Sequence, residues 1–207
     1  MVMLRCKFDS RWGHHSNDNI FHIKMFFLCY NIDEKRCIFM LTLVKLNPSM
    51  KSLYDSFIED WVAYEEKITP GILRNAPKMT FDEVMKHLES NESMDLEVPS
   101  LTYFAYDDEV KKIVGAVNIR LKLNPWYLRE GGHIGGGVRP SMRQRGYAKE
   151  MIRLSLDILK TYEIHDVLMV CNKKNIASAQ TIIKNGGILE NELIINGQTE
   201  QRYWIKI

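Results

Sequence analysis

Between His133 and Lys160 the chain passes from a strand through a basic loop into a helix with no spacer, and this stretch constrains the fold more than any other. His133 to Val138 reads as a strand that carries three consecutive glycines, Gly135 to Gly137. Tyr147 to Lys160 is strongly amphipathic, with Ala148, Met151, Ile152, Ser155, Ile158 and Leu159 on its apolar face. The loop between them holds Arg143, Gln144, Arg145 and Gly146. Unpaired backbone N–H groups and the positive end of the dipole make a helix start an anion site. Gly146 lets the backbone approach that anion, because no Cβ intrudes. These are the requirements of a pyrophosphate, although an ordinary turn with solvated arginines fits the loop equally well. The P-loop pattern GxxxxGK[ST] is absent, and no GxGxxG opens the helix. Glycines inside a strand mark a bulge or a close ligand approach, or simply a flexible strand end.

The rest of the chain fits an α/β layered domain. Leu41 to Leu46 alternates apolar and polar positions, and Asn47-Pro48-Ser49 is a helix entry signal. Leu53, Phe57, Trp61 and Tyr64 recur at helical spacing, which predicts a helix over residues 50–66. Thr80 and Glu83 form a capping box before a second helix that runs to about Ser90. Strands follow at 101–106, 113–123, 133–138 and 166–171, with a helix at 176–185 closed by Gly186-Gly187. Asn196-Gly197 between two strands predicts a terminal hairpin. Asn175 reads as a helix cap that can also meet a ligand.

Residues 1–39 show no sustained period and read as an N-terminal extension of uncertain structure, with the domain spanning 40–207 and Met40 an alternative start. Cys6, His14, His15, His22, Cys29 and Cys37 crowd the extension, but their spacings match no common zinc finger, so no metal site is assigned. The four cysteines include no CxxC pair, which favours free thiols and a cytoplasmic setting. A formal charge of +2 without a basic arm argues against nucleic acid, and no apolar run approaches a membrane span.

Arg143-Gln144-Arg145-Gly146-Tyr147-Ala148 resembles the R/Q-x-x-G-x-G/A signature of the GNAT superfamily of N-acetyltransferases. Asn175 to Ala179 followed by Lys184 to Gly187 resembles that family's second cofactor-contacting segment. The strings Gly131 to Gly135, Val138 to Ser141, Asn185 to Gly187 and Arg202 to Ile205 resemble a bacterial subgroup of predicted acetyltransferases. The resemblance implies a GNAT-type mixed, mostly antiparallel sheet with helices on both faces and a splayed parallel strand pair, 133–138 and 166–171. It implies acetyl-CoA as co-substrate. Gly137 and Val138 would bond the pantetheine, the segment Arg143, Gln144, Arg145, Gly146, Tyr147 and Ala148 would hold the pyrophosphate, and Asn175 and Ser178 would contact the thioester arm. The reaction implied is attack of a neutral amine on the thioester, with the Val138 N–H as an oxyanion donor. The tyrosine acid common in the family falls at Ile182, and Gly187, Gly136 and Leu121 replace phenylalanine, tyrosine and histidine. His133 and Glu130 are the candidate catalytic bases, each with a structural or solvated role as the alternative. A CoA-binding module without catalysis is the second reading. The acceptor is expected to be a small-molecule or peptide amine, and a homodimer is left open. The resemblance also implies that the first helix lines the acceptor pocket; its Trp61, Tyr64, Glu65 and Glu66 suit a cationic amine, or equally form a core helix face with a solvated acidic end.

Overall fold

The computed structural model describes residues 41–207, so the extension and its Cys and His residues lie outside the described residues. The elements run β1 (Leu41–Val44), α1 (Lys51–Ala63), α2 (Phe81–Ser90), β2 (Ser100–Asp107), β3 (Lys112–Arg120), β4 (Ile134–Val138), α3 (Tyr147–Thr161), β5 (Asp166–Asn172), α4 (Ile176–Ile183), β6 (Ile188–Ile195) and β7 (Gln198–Lys206). They form two sheets, one ordered β1-β2-β3-β4 and the other β5-β7-β6.

Local chemistry accounts for the element ends. Asn47 accepts from the Ser49 N–H at 3.0 Å and starts a short 3-10 turn into α1. The α1 helix ends at Ala63, short of the expected Glu66, because Glu65 takes a left-handed φ of 54° that no helix continues through. The capping box of α2 is complete: Glu83 N donates to Thr80 Oγ1 at 3.3 Å, and Thr80 N donates to Glu83 Oε2 at 2.7 Å. Asn196 and Gly197 both have positive φ, 49° and 74°, as the turn joining β6 to β7 requires.

Two cores flank the first sheet. One joins α1 and α2 to Phe104, Ile113 and Ala116, with Phe57, Trp61, Leu73 and Val84 almost fully buried. The other joins α3, α4 and the second sheet to Val114, Val117 and Ile119. In α3 the buried set is Tyr147, Met151, Ile152, Ser155, Leu156, Ile158 and Leu159. Ala148, expected on that face, is exposed, and Leu156 takes part instead. Tyr147 sets this phase, since its hydroxyl donates to buried Asp107 at 2.6 Å and turns the first helical residue inward.

Every ladder within the two sheets is antiparallel. The parallel pair expected between β4 and β5 takes the form of a split. Among the described residues, the one bridge between the two sheets is Gly132 with Met169, just before β4 begins, and it is of antiparallel type.

Candidate active site

The split between β4 and β5 is the organising feature of the site. Arg120 N donates to His133 O and Arg139 N donates to Val114 O, so the carbonyl of 133 and the amide of 139 point at β3. The alternation of an antiparallel ladder puts Gly135 and Gly137 on that same side. Ile134, Gly136 and Val138 therefore turn their N–H and C=O groups toward the split. In this register Gly136 and Val138, rather than Gly137, turn their backbone toward the split. On β5, Leu168 bonds His133, whereas Lys173 N reaches Thr199 O on the β7 side, so Val170 shares the open side with Leu168.

The narrow end of the split is closed by His133. Its backbone N donates to Leu168 O at 2.7 Å, and its Nδ1 accepts from Leu168 N at 2.9 Å. Burial, with the nearby Arg120 charge, pushes the imidazole down to about 4, so the ring is neutral at physiological pH. A neutral imidazole whose Nδ1 lone pair is taken carries its proton on Nε2, and neither nitrogen is then left to accept another. This geometry assigns His133 to holding the strands together rather than to proton abstraction. Glu130 lies in a single π-helical turn, Tyr127–Gly131, with its carboxylate 3.8 Å from Arg129. The sequence reading had no signal for that turn.

At the wide end stands α3. Gln144 and Gly146 have left-handed φ of 63° and 87° in the loop before the helix. Gly146 is the residue immediately before the helix, and its left-handed φ suits glycine. No backbone hydrogen bond among the described residues takes the N–H of Gln144, Arg145, Gly146 or Ala148. Gln144, Arg145, Gly146 and Ala148 are exposed, so their unpaired amides lie open to solvent around the helix terminus. Tyr147 contributes only backbone here, because its side chain is buried against Asp107.

Arg143 is placed differently from expectation. Its Nη1 and Nη2 clasp Glu66 at 2.8 and 2.6 Å, its Nε donates to Val138 O at 3.3 Å, and its guanidinium lies 5.3 Å from the Trp61 ring centroid. It joins the end of β4 to the segment after α1 instead of standing free at the helix terminus, and it holds Glu66 below the usual carboxylate range. Arg139, which sequence reasoning passed over, is buried beneath it. Its Nη2 donates to Ser56 O at 2.8 Å, and its Nε lies 3.3 Å from Asp60, close enough for an ion pair though not aligned as a hydrogen bond. Asp60 in turn accepts from Ser141 N at 3.1 Å. These contacts fix α1 to the loop, and a Cβ on Gly137 would meet Thr69 at 2.9 Å, so the segment after α1 lies directly against β4.

Asn175 caps α4 by accepting from Ser178 N at 3.0 Å. Burial raises the Cys171 thiol above its ordinary value, with Ser178 nearby opposing the shift. Ile182 is 1 % exposed and packs on Gly187, where a Cβ would lie 2.5 Å from Ile182 Cγ2. The absence of a side chain at 187 thus follows from the bulk at 182. Among the described residues no group of three His, Cys, Asp or Glu side chains is arranged to hold a metal ion. No helix among them is long and apolar enough to cross a membrane.

A strand split open beside a helix terminus rich in unpaired amides defines an acyl-CoA-type transferase site. The family model for the acetyltransferase (GNAT) domain matches residues 44–188. The chain belongs to that family, and it is an N-acetyltransferase by fold and motif. No curated protein matches it by sequence. Among solved structures it is similar to a spermidine N-acetyltransferase from Vibrio cholerae in complex with CoA and spermine, at 20% identity and a TM-score of 0.54 over 80% of this chain and 95% of that one. It is similar to RimJ of Mycobacterium smegmatis in complex with CoA-disulfide, at 15% identity and a TM-score of 0.61 over 80% and 81% of the two chains. The microcin C7 self-immunity acetyltransferase MccE in complex with acetyl-CoA and AMP gives 16% identity and a TM-score of 0.58 over 81% and 92%. At these identities the likeness is one of fold.

Proposed function

We propose that the protein transfers the acetyl group of acetyl-CoA to a primary amine of a small molecule or peptide. The observation that carries this is the opening between β4 and β5, where Gly136 and Val138 turn backbone groups toward the gap on the strand that leads into the α3 terminus. The amides of Gln144, Arg145, Gly146 and Ala148 suit pyrophosphate oxygens, and exposed Arg145 adds charge. When bound, acetyl-CoA supplies the activated thioester. The Val138 N–H is directed to donate to an oxyanion in the split. Asn175 and Ser178, at the N-terminal turn of α4 after β5, would contact the thioester arm. Glu130 keeps the lone pairs that His133 lacks and takes the role of base, directly or through water. Ile182 donates no proton, so the leaving thiolate takes its proton from solvent. Neighbours in fold act on amines, spermidine among them by name, which supports an amine acceptor.

A thiol-release assay over amines, amino acids, aminoglycosides and peptides tests the reading. Acetyl-CoA-dependent turnover with at least one of them is the expected result. Tight calorimetric binding of acetyl-CoA with no turnover on any amine would instead mark a silent binding module, a second reading favoured by buried Ile182 at the position of the acid.

A further inference from the structure

The three arginines whose Nε atoms are buried and unpaired are Arg120, Arg139 and Arg202. Two of them have an acid. Arg139 lies 3.3 Å from Asp60, and Arg202 Nη1 lies 2.9 Å from Glu190. Arg120 has none among the described residues, and Glu130, close by in sequence, lies against Arg129 instead. Arg120 is held by neutral groups: Nη1 donates to Gly132 O at 2.9 Å and to Gly131 O at 3.4 Å, and the Tyr127 ring centroid is 4.2 Å from the guanidinium. Arg120 as a residue is only partly buried, with its Nε shielded and its fork left near the surface, so an incoming anion can reach a cation that has no counter-charge in place. The carbonyls and the aromatic face orient the fork but do not neutralise it.

The fork is also reachable from the site. Strand alternation puts Arg120 on the same face as Asn118, Ala116, Gly135 and Gly137. On that face the nearest atoms a Cβ on Gly135 would meet are Arg120 Nη2 at 3.3 Å, Nη1 at 3.6 Å and Cζ at 3.9 Å. Gly135 is only half-buried. The glycine therefore leaves room against the guanidinium, one residue from the open-edge position Gly136. Asn118 continues the polar row, donating to Ser100 and Thr102 at 3.0 and 3.1 Å.

We propose that Arg120 receives a carboxylate of the acceptor, so that the acceptor is an amine of the amino-acid class rather than a polyamine. The inference rests on the acetyltransferase reading and names its substrate class. The carboxylate would anchor the molecule at Arg120 while its amine points along β4 toward the split.

The experiment compares the twenty L-amino acids, their carboxamides and spermidine as acceptors, with both turnover and calorimetric binding to the CoA-loaded protein. For the accepted amino acid, amidation should lower kcat/KM by about tenfold or more, mostly through KM, since a charged hydrogen-bonded partner is lost. Arg120→Gln should level acid and amide, and Arg120→Lys should keep part of the preference. If Arg120→Gln fails to fold, the contrast between acid and amide on the unaltered protein decides alone. Equal use of acid and amide, or preference for spermidine, overturns the proposal. Should no amine turn over while acetyl-CoA binds, the enzymatic reading fails separately. Tighter binding of an amino acid than of its amide would then still support the Arg120 site, and equal or absent binding of both would overturn it.

Discussion

His133 holds two strands with one residue, and its titration should be visible in stability. Its folded pKa of about 4 lies below the ordinary histidine value. Between those two values the unfolded chain binds a proton that the folded chain refuses, so stability rises with pH across the window. It is fully present above about 6.5, and is lost as pH falls toward 4, by at most about 3 kcal/mol. Urea midpoints measured from pH 4 to 7 should show this slope, and His133→Gln should flatten it while lowering stability near neutrality through loss of the Leu168 contact. An unchanged slope in the variant would detach the acid sensitivity from this ring. The histidine was legible in the sequence as a candidate but not as a clasp, because its partner, Leu168, lies 35 residues away on another sheet. Arg143 illustrates the same limit. Its charge beside a helix start was evident, but Glu66, 77 residues earlier, claims both arms of its fork.

At the scale of the element, α3 was the most legible feature and its terminus carries the sharpest test. Gly146 combines a φ of 87° with a place directly before the first helical turn. Valine at 146 would add backbone strain of roughly 1–3 kcal/mol and set a branched side chain among the amides of Gln144, Arg145 and Ala148. Calorimetry with CoA should show binding weakened beyond detection while circular dichroism still reports a folded chain. Retained affinity in folded Gly146→Val would remove the pyrophosphate from this helix. The elements with local signatures, the capping box of α2, the Asn-Gly turn and the periodic face of α3, were readable because neighbours in sequence create them. The π-helical turn at Tyr127–Gly131 was not, since Tyr127 stacks on Arg120 of another strand. The β3 strand was expected to reach Leu123 and stops at Arg120 for a related reason: its partner β2 begins at Ser100, paired with Arg120, and past that pair Leu121 N reaches only Pro99 O, where a proline with no N–H ends the ladder.

On the scale of the whole molecule, the split is a product of topology. Two sheets meet at Gly132 and Met169 and then part, so the opening exists only because β4 ends one sheet and β5 begins the other. No local pattern records that, although the family resemblance implied it. The domain boundary belongs to the same scale. The described cores close around residues from Leu41 onward, and the family match begins at residue 44. We therefore propose that residues 1–39 are dispensable for the fold and for CoA binding. A chain starting at Met40 should melt within a few degrees of the full chain. With CoA at about 100 times its Kd, linkage adds about 2.7 kcal/mol to whichever chain binds it. For a domain of this size that is roughly 5–10 °C in Tm. The shift should be equal in the two chains, because every group proposed to hold CoA lies after position 130. If the shortened chain melts well below the full one but shifts equally with CoA, the extension packs on the core without touching the ligand. If its Tm is unchanged but the CoA shift disappears, the extension reaches the split, and the boundary at Met40 divides a working site.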